Sequence, residues 1–242
     1  MGTNGNYAVC VENLVKVFDR YTAVDSVSFC LERGTVVGLL GTNGAGKTTI
    51  VKILSTMLRP TGGKASIDGI DVTVEPIAVR RRIGYLPETP TLYEHLTCRE
   101  FLRFIGELRN VQNVDGRVED LIKGFGLKEH SDALIGTYSK GLKQRTAFAQ
   151  AIIHEPNILL LDEPILGLDP RYTKFVKGYI REFSAKGGCA LITTHLTELA
   201  ETLCDRFLII HRGKIRADGG LNAVLSDTGT QTLEEAFIRL TE

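Results

Sequence analysis

The chain has no surplus of either charge: 29 Lys and Arg balance 29 Asp and Glu. Proteins that hold duplex nucleic acid mainly through its phosphates are usually basic, so no nucleic-acid partner is expected. Long apolar runs are missing too. A helix needs about 20 apolar residues to span a bilayer, so the chain is expected to be soluble and to meet a membrane only through a partner. The start, "MGTNGNYAVC", lacks the charged-then-apolar order of a secretory signal. Cysteine is sparse. Cys10, Cys30, Cys98, Cys189 and Cys204 are odd in number and scattered through apolar stretches. No C-x-x-C pair or His/Cys cluster points to a metal site. Five buried free thiols in a reducing compartment are therefore expected. Internal repeats, low-complexity linkers, sustained heptads and a guanine-reading N-K-x-D are absent as well.

What is present is an ordinary globular composition over 242 residues, enough for one large domain carrying a subdomain. The beginning reads as strands in "YAVCVENLVKVF" and "AVDSVSFCLERG", with a turn at Arg33-Gly34. "TVVGLL" (35–40) reads as a buried strand. "KTTIVKILSTML" (47–58) has helical spacing and is closed by Pro60 and Gly62-Gly63. "KASIDGIDVT" reads as strand, turn, strand, and "IGYLPE" (83–88) as a strand that stops at Pro87. From about 97 to 154 the pattern turns helical. Strands return in "NILLLDEP" (157–164), "CALITTH" (189–195) and "RFLIIHRG" (206–213), separated by helices in "RYTKFVKGYIREFSAK" and "LTELAETLC". This alternation predicts an α/β core, a parallel sheet with crossover helices, into which a helical segment is inserted.

"GTNGAGKT" fits the phosphate-loop pattern G-x-x-x-x-G-K-[ST], with a strand before it and a helix after it. Successive backbone N–H groups in such a loop turn into one concavity, which a side chain at Gly44 or Gly46 would obstruct. The helix that follows presents its positive end to the anion. Lys47 reaches the outer phosphates, and Thr48 offers a hydroxyl to Mg²⁺. In "NILLLDEP", Asp162 ends an apolar strand where α/β ligands bind. It would hold Mg²⁺ directly or through water, leaving Glu163 to polarise the attacking water. "YSKGLKQR" (138–145), taken alone, reads as an N-cap at Ser139 followed by a solvated face with Lys143 and Arg145.

These three stretches, in this order, resemble the ATP-binding subunit of an ABC transporter over nearly the whole chain. "GTNGAGKTT" matches the Walker A loop, "YSKGLKQR" the signature, "ILLLDEP" Walker B, "GLD" (Gly167 to Asp169) the D-loop, and "TTH" the switch histidine at His195. "IGYLPETPTLYEHLTCREFL" is most similar to subunits paired with ABC-2-type permeases, often exporters of drugs or lipids. The resemblance implies a P-loop NTPase core with an N-terminal antiparallel β subdomain and a helical subdomain. The core with its β subdomain would take residues 1–88 and 157–242, and the helical subdomain 89–156.

The resemblance also assigns roles. Gly41, Thr42, Asn43, Gly44, Ala45, Gly46, Lys47, Thr48 and Thr49 would hold ATP, with Phe18, or in its place Tyr21, stacking on adenine. Glu163 and His195 would be catalytic, and Thr48, Glu88 and Asp162 would serve Mg²⁺. Ser139, Lys140, Gly141, Leu142 and Asp169 would act across an ATP-dependent homodimer or heterodimer. The partner would be an integral membrane permease, placing the chain in the cytoplasm on the inner face of the cell membrane. Three stretches depart from the family pattern. Glu88 stands where glutamine is usual and still presents an oxygen to a metal. Lys140 and Leu142 replace Gly and Gln of the signature. Ile165 and Leu166 stand where Thr and a small polar residue are commoner. Two rival readings are a non-transport ABC ATPase with a regulatory or nucleic-acid-handling role, and an unrelated P-loop kinase or GTPase. The complete signature argues against the latter.

Overall fold

The computed structural model describes residues 7–165 and 168–242. Leu166 and Gly167, named above near the D-loop, lie outside the described residues.

Two sheets build the molecule. Strands β1 (Tyr7–Phe18) and β2 (Tyr21–Glu32) form a long hairpin, extended by β4 (Gly62–Ile67) and β5 (Ile70–Asp71) into an antiparallel sheet of order β2-β1-β4-β5. The second sheet holds β3 (Val36–Leu40), β6 (Ile83–Leu86), β7 (Ile158–Asp162), β8 (Cys189–Thr194), β9 (Arg206–His211) and β10 (Lys214–Gly219), in the order β10-β9-β3-β8-β7-β6. Five strands are parallel, and β10 pairs antiparallel with β9 at one edge. The α/β expectation is met, with an antiparallel edge strand added.

The parallel strands are apolar because both faces are covered. Successive side chains of a strand point to opposite faces. Val36 and Leu40 of β3 join Leu159 and Leu161 of β7 and Ala190 and Ile192 of β8 in one core. Val37, Leu39, Ile158, Leu160, Cys189 and Leu191 join the other. Helix α1 (Lys47–Leu54) and the antiparallel sheet cover this second face. The first face is covered by α3 (Cys98–Leu108), α4 (Val114–Gly124) and α5 (Lys140–Ile152), which lie between β6 and β7 in the chain, together with α6 (Pro170–Ala185) and α7 (Thr197–Leu203). Phe148 of α5 is fully buried there. Truncating such a ring to alanine costs about 3–5 kcal/mol. Helix α3 starts on a capping box: Thr97 Oγ1 accepts the Glu100 N–H, and the Glu100 carboxylate accepts the Thr97 N–H at 2.9 Å.

Some local expectations are corrected. Helix α1 stops at Leu54 rather than Leu58, because Thr56 takes a left-handed φ of 63°. A short helix α2 (Pro76–Arg82), begun by Pro76, precedes β6. Strand β10 and helices α8 (Leu221–Thr228) and α9 (Leu233–Thr241) complete the chain. The expectation of five free thiols fails for two of them. Cys10 and Cys30 face each other in the β1–β2 register, their Cα atoms 4.2 Å apart, and are joined as a disulfide. Cys98, Cys189 and Cys204 are free, and burial pushes their thiols up to about 11, 12 and 12.

Candidate functional site

Four neighbouring strands end at one edge, and each delivers part of the site. β3 runs into the loop 41–46 and α1. β6 leads to Glu88, β7 ends on Asp162, and β8 ends at Thr194 before His195. Carboxyl ends of parallel strands are where α/β folds place ligands. The parallel register sets Asp162 opposite Thr193 and Leu40 opposite Thr194, so these groups share one level.

The loop bends through two left-handed glycines, Gly44 (φ 80°) and Gly46 (φ 111°). At Gly46 a Cβ would also come 2.5 Å from the Ala23 carbonyl oxygen. At Gly44 a Cβ would meet no protein atom within 4 Å, so there the backbone conformation demands glycine. The Tyr21 hydroxyl donates to the Gly44 carbonyl at 3.0 Å and ties the loop to the hairpin. Helix α1 begins on Gly46 with no side-chain cap. Its first N–H groups have no partner within the helix, and the helix dipole adds partial positive charge there.

Lys47 is buried and donates to the carbonyls of Gly41 (2.6 Å) and Thr42 (3.2 Å). Burial holds its ammonium below the usual lysine range, while the charges of Glu163, Asp162 and Glu88 pull the other way. Asp162 and Glu163 are buried. The Glu163 carboxylate lies 2.7 Å from His195 Nδ1 through Oε1 and accepts the Thr194 hydroxyl at 3.1 Å through Oε2. Glu163 itself has left the strand with φ 49°.

A cavity of about 510 Å³ brings the groups together. It is lined by Asn43 through Thr49, Glu88, Asp162, Glu163 and His195, with Phe18, Tyr21 and Ala23 at the hairpin side. Phe18 and Tyr21 pair across the end of the hairpin, and Lys16 Nζ sits 4.9 Å from the centre of the Phe18 ring. Gly41 and Thr42 hold the lysine from beneath through their carbonyls.

The residues 139–142 and Asp169 do not line this cavity. Ser139 is exposed and caps α5, its hydroxyl accepting the Leu142 N–H at 3.3 Å. Lys140 is exposed beside it, while Gly141 and Leu142 are half-buried. Asp169 caps α6 through the Tyr172 N–H at 2.9 Å and pairs with Arg145 of α5 at 2.9 Å. These contacts, the Tyr172 N–H first, hold its carboxyl below the usual carboxylate range. Arg145, read from its own stretch as part of a solvated face, is instead half-buried and links α5 to the start of α6 through Asp169 and the Tyr172 ring.

The oxygen donors suit Mg²⁺, which takes one or two carboxylates together with substrate phosphates. Asp162 Oδ2 is buried and has no hydrogen-bond partner among the described residues. Thr48 and Glu88 line the same cavity. No group of three or more His, Cys, Asp and Glu side chains among the described residues is placed to hold a metal ion.

A sequence model of the ABC transporter family matches residues 24–166. The chain belongs to that family. Among ABC relatives, the transporter ATP-binding protein NatA of Bacillus subtilis is 36% identical over 219 residues, 89% of each chain. The daunorubicin/doxorubicin resistance ATP-binding protein DrrA of Streptomyces peucetius is 39% identical over 235 residues, 96% of this chain and 71% of that one. A solved ATP-binding subunit of an ABC transporter superposes with a TM-score of 0.92 at 33% identity, over 97% of this chain and 100% of that one. A bacterial ABC cassette solved as a dimer shares the fold at 21% identity, with a TM-score of 0.81 over 88% of this chain and 98% of its own. The chain is thus an ATP-binding subunit of the ABC transporter type. No helix among its described residues is long and apolar enough to cross a membrane.

Proposed function

We propose that the chain powers a separate integral membrane permease, an exporter, by closing around ATP as a dimer and reopening after hydrolysis. The observation that carries this is the split of the nucleotide machinery. The loop, Lys47, Thr48, Glu88, Asp162, Glu163 and His195 converge on one cavity, whereas Ser139 to Leu142 stand apart from it at a helix start where Ser139 and Lys140 are exposed. A second copy that brings Ser139, Lys140 and Gly141 over the phosphates would complete the site. Burying several phosphate charges between N–H groups of two chains would make ATP the adhesive. The family and the drug-resistance relative support the exporter reading.

Phe18 would stack on adenine, while the Tyr21 hydroxyl holds the loop. Lys47 would exchange its carbonyl partners for the outer phosphates. Glu163 would accept the proton of the attacking water, steadied by the hydroxyl of Thr194 and by His195. Asp162, Thr48 and Glu88 would hold Mg²⁺, which would supply positive charge to offset that of the phosphates. Most of the rate enhancement would be positioning and charge stabilisation. Asp169 would contact the second chain from the start of α6. Attachment to the permease would keep the chain on the inner face of the cell membrane. Affinity purification of the tagged chain from detergent-solubilised membranes tests the coupling. A stoichiometric multi-helix membrane protein that stimulates the ATPase is expected. Purification of the ATPase alone, fully active and bound to no membrane protein, would favour the non-transport alternative.

A further inference from the structure

Thr193 is fully buried and has no part in the scheme so far. It stands opposite Asp162 in the β7–β8 register. Its hydroxyl donates to Asp162 Oδ1 and accepts the Glu163 N–H at 3.2 Å, a bond that N–H shares with the Thr193 carbonyl at 3.1 Å. A hydroxyl has one proton to give, and Thr193 gives it to Asp162. The other carboxylate oxygen, Oδ2, is buried without a partner among the described residues, on a residue that lines the cavity with Thr48 and Glu88. Leaving a buried carboxylate oxygen unpaired is costly unless something else completes it.

The neighbouring Thr194 makes the complementary contact. Its hydroxyl donates to Glu163 Oε2 and accepts the Leu196 N–H at 3.1 Å. The two consecutive threonines thus serve the two consecutive carboxylates, one each. Alternation along a strand sends adjacent side chains to opposite sides, so neither hydroxyl competes for the other's carboxylate.

We infer that Thr193 is the positioning residue that fixes Asp162 for the metal: it occupies Oδ1, stops the carboxylate from rotating, and reserves Oδ2 for the Mg²⁺ that accompanies ATP. This rests on the ATPase reading above. Groups that hydrogen-bond a ligating carboxylate commonly change metal affinity or activity by about 10–100-fold when removed. Thr194, acting through Glu163, affects hydrolysis and not the metal.

The test is a Mg²⁺ titration of adenylyl imidodiphosphate binding, an analogue that is not hydrolysed, so turnover does not enter. Thr193→Val, which keeps the shape and loses the hydroxyl, should raise the half-saturating Mg²⁺ concentration by about tenfold or more. Binding of the analogue without Mg²⁺ should stay within about twofold, since the loop and Lys47 are intact. Thr193→Ser should restore the wild-type midpoint. Thr194→Val should leave the midpoint in place and slow ATP turnover. If the valine chain does not fold, Thr193→Ala carries the same expectation. A wild-type chain without Mg²⁺-dependent binding would overturn the ATPase reading itself. A wild-type chain that shows it, beside a Thr193→Val or Thr193→Ala chain with the same midpoint and only a lower melting temperature, would overturn the assignment alone. Failure of both substituted chains to fold while Thr193→Ser folds would also overturn it, in favour of a purely structural hydroxyl.

Discussion

Helix α1 starts on a left-handed glycine with no side-chain cap, whereas α5 starts on Ser139, whose own hydroxyl accepts the Leu142 N–H. The first start is walled by Lys47, Glu88, Asp162, Glu163 and His195 around a cavity. The second begins with exposed residues, Ser139 and Lys140, and does not line that cavity. Both are helix N-termini, and both present N–H groups and the positive end of a dipole. The difference is completeness. The α1 site has charges of both signs and a shaped wall, so it can grip an anion within one chain. The α5 start satisfies itself and offers only a surface, so it needs an anion already held by something else. In the dimer proposed above, a second copy facing the first would supply that.

The comparison breaks most severely at Lys47. Replacing it by alanine removes the buried cation that lines the α1 site. Lys47→Ala should lose ATP turnover to background in a phosphate-release assay and bind nucleotide at least about tenfold more weakly, the loss of a charge-assisted contact. Turnover at the wild-type rate would remove Lys47 from the site. Next comes Glu163→Gln, whose amide cannot accept a proton. Hydrolysis should fall by about 10²–10⁴-fold with ATP binding retained. The stalled form should elute from a sizing column as a dimer only when ATP is present. Normal hydrolysis by this variant would move the base role elsewhere, with His195 the nearest candidate.

Smaller effects sharpen the comparison at the other helix. Ser139→Ala removes the cap of α5 and should cost about 1 kcal/mol of stability in denaturant titration. Calorimetric ATP affinity of the isolated, dilute chain should not change, because Ser139 lies outside the cavity. Weakened binding by the dilute chain would mean that one copy already holds both halves of the site. The smallest effect is expected at Glu88, which is exposed at the rim. Glu88→Gln keeps an oxygen for the metal, so turnover should stay within about threefold, as metal coordination by a carbonyl oxygen allows. Complete loss of turnover would give the Glu88 charge a role of its own.

The site was legible in the sequence wherever its chemistry is local. The loop glycines and Lys47 fall within seven residues, and the apolar run before Asp162 announces a buried strand end. Ser139 was legible twice, as an N-cap from its own environment and as a signature serine from the resemblance. What remained hidden depends on pairing between distant segments. The threonines of "TTH" meet Asp162 and Glu163 across 31 residues, through a parallel register that no local pattern encodes. Cys10 and Cys30 meet because of a hairpin register that shifts at several irregularities. Helix α2 was missed because Pro76 and three consecutive arginines give no apolar period. Strand β10 was missed because an edge strand has little to bury.

The central claim is that each ATP is shared by two chains, and a mixture of two defective chains tests it most directly. Lys47→Ala destroys the α1 half of a site, and Ser139→Arg blocks the α5 half. Alone, each variant carries its defect into both sites of its homodimer. Together, the sound α1 site of the Ser139→Arg chain can face the sound Ser139 of the Lys47→Ala chain, which regenerates one site and leaves one doubly broken. With the chains differently tagged, the measurement is ATP-dependent capture of one by the other. The account predicts pairing in the mixture with ATP, and none with either variant alone or without nucleotide. Absence of pairing in the mixture at any protein concentration at which the wild-type chain pairs with ATP would contradict it.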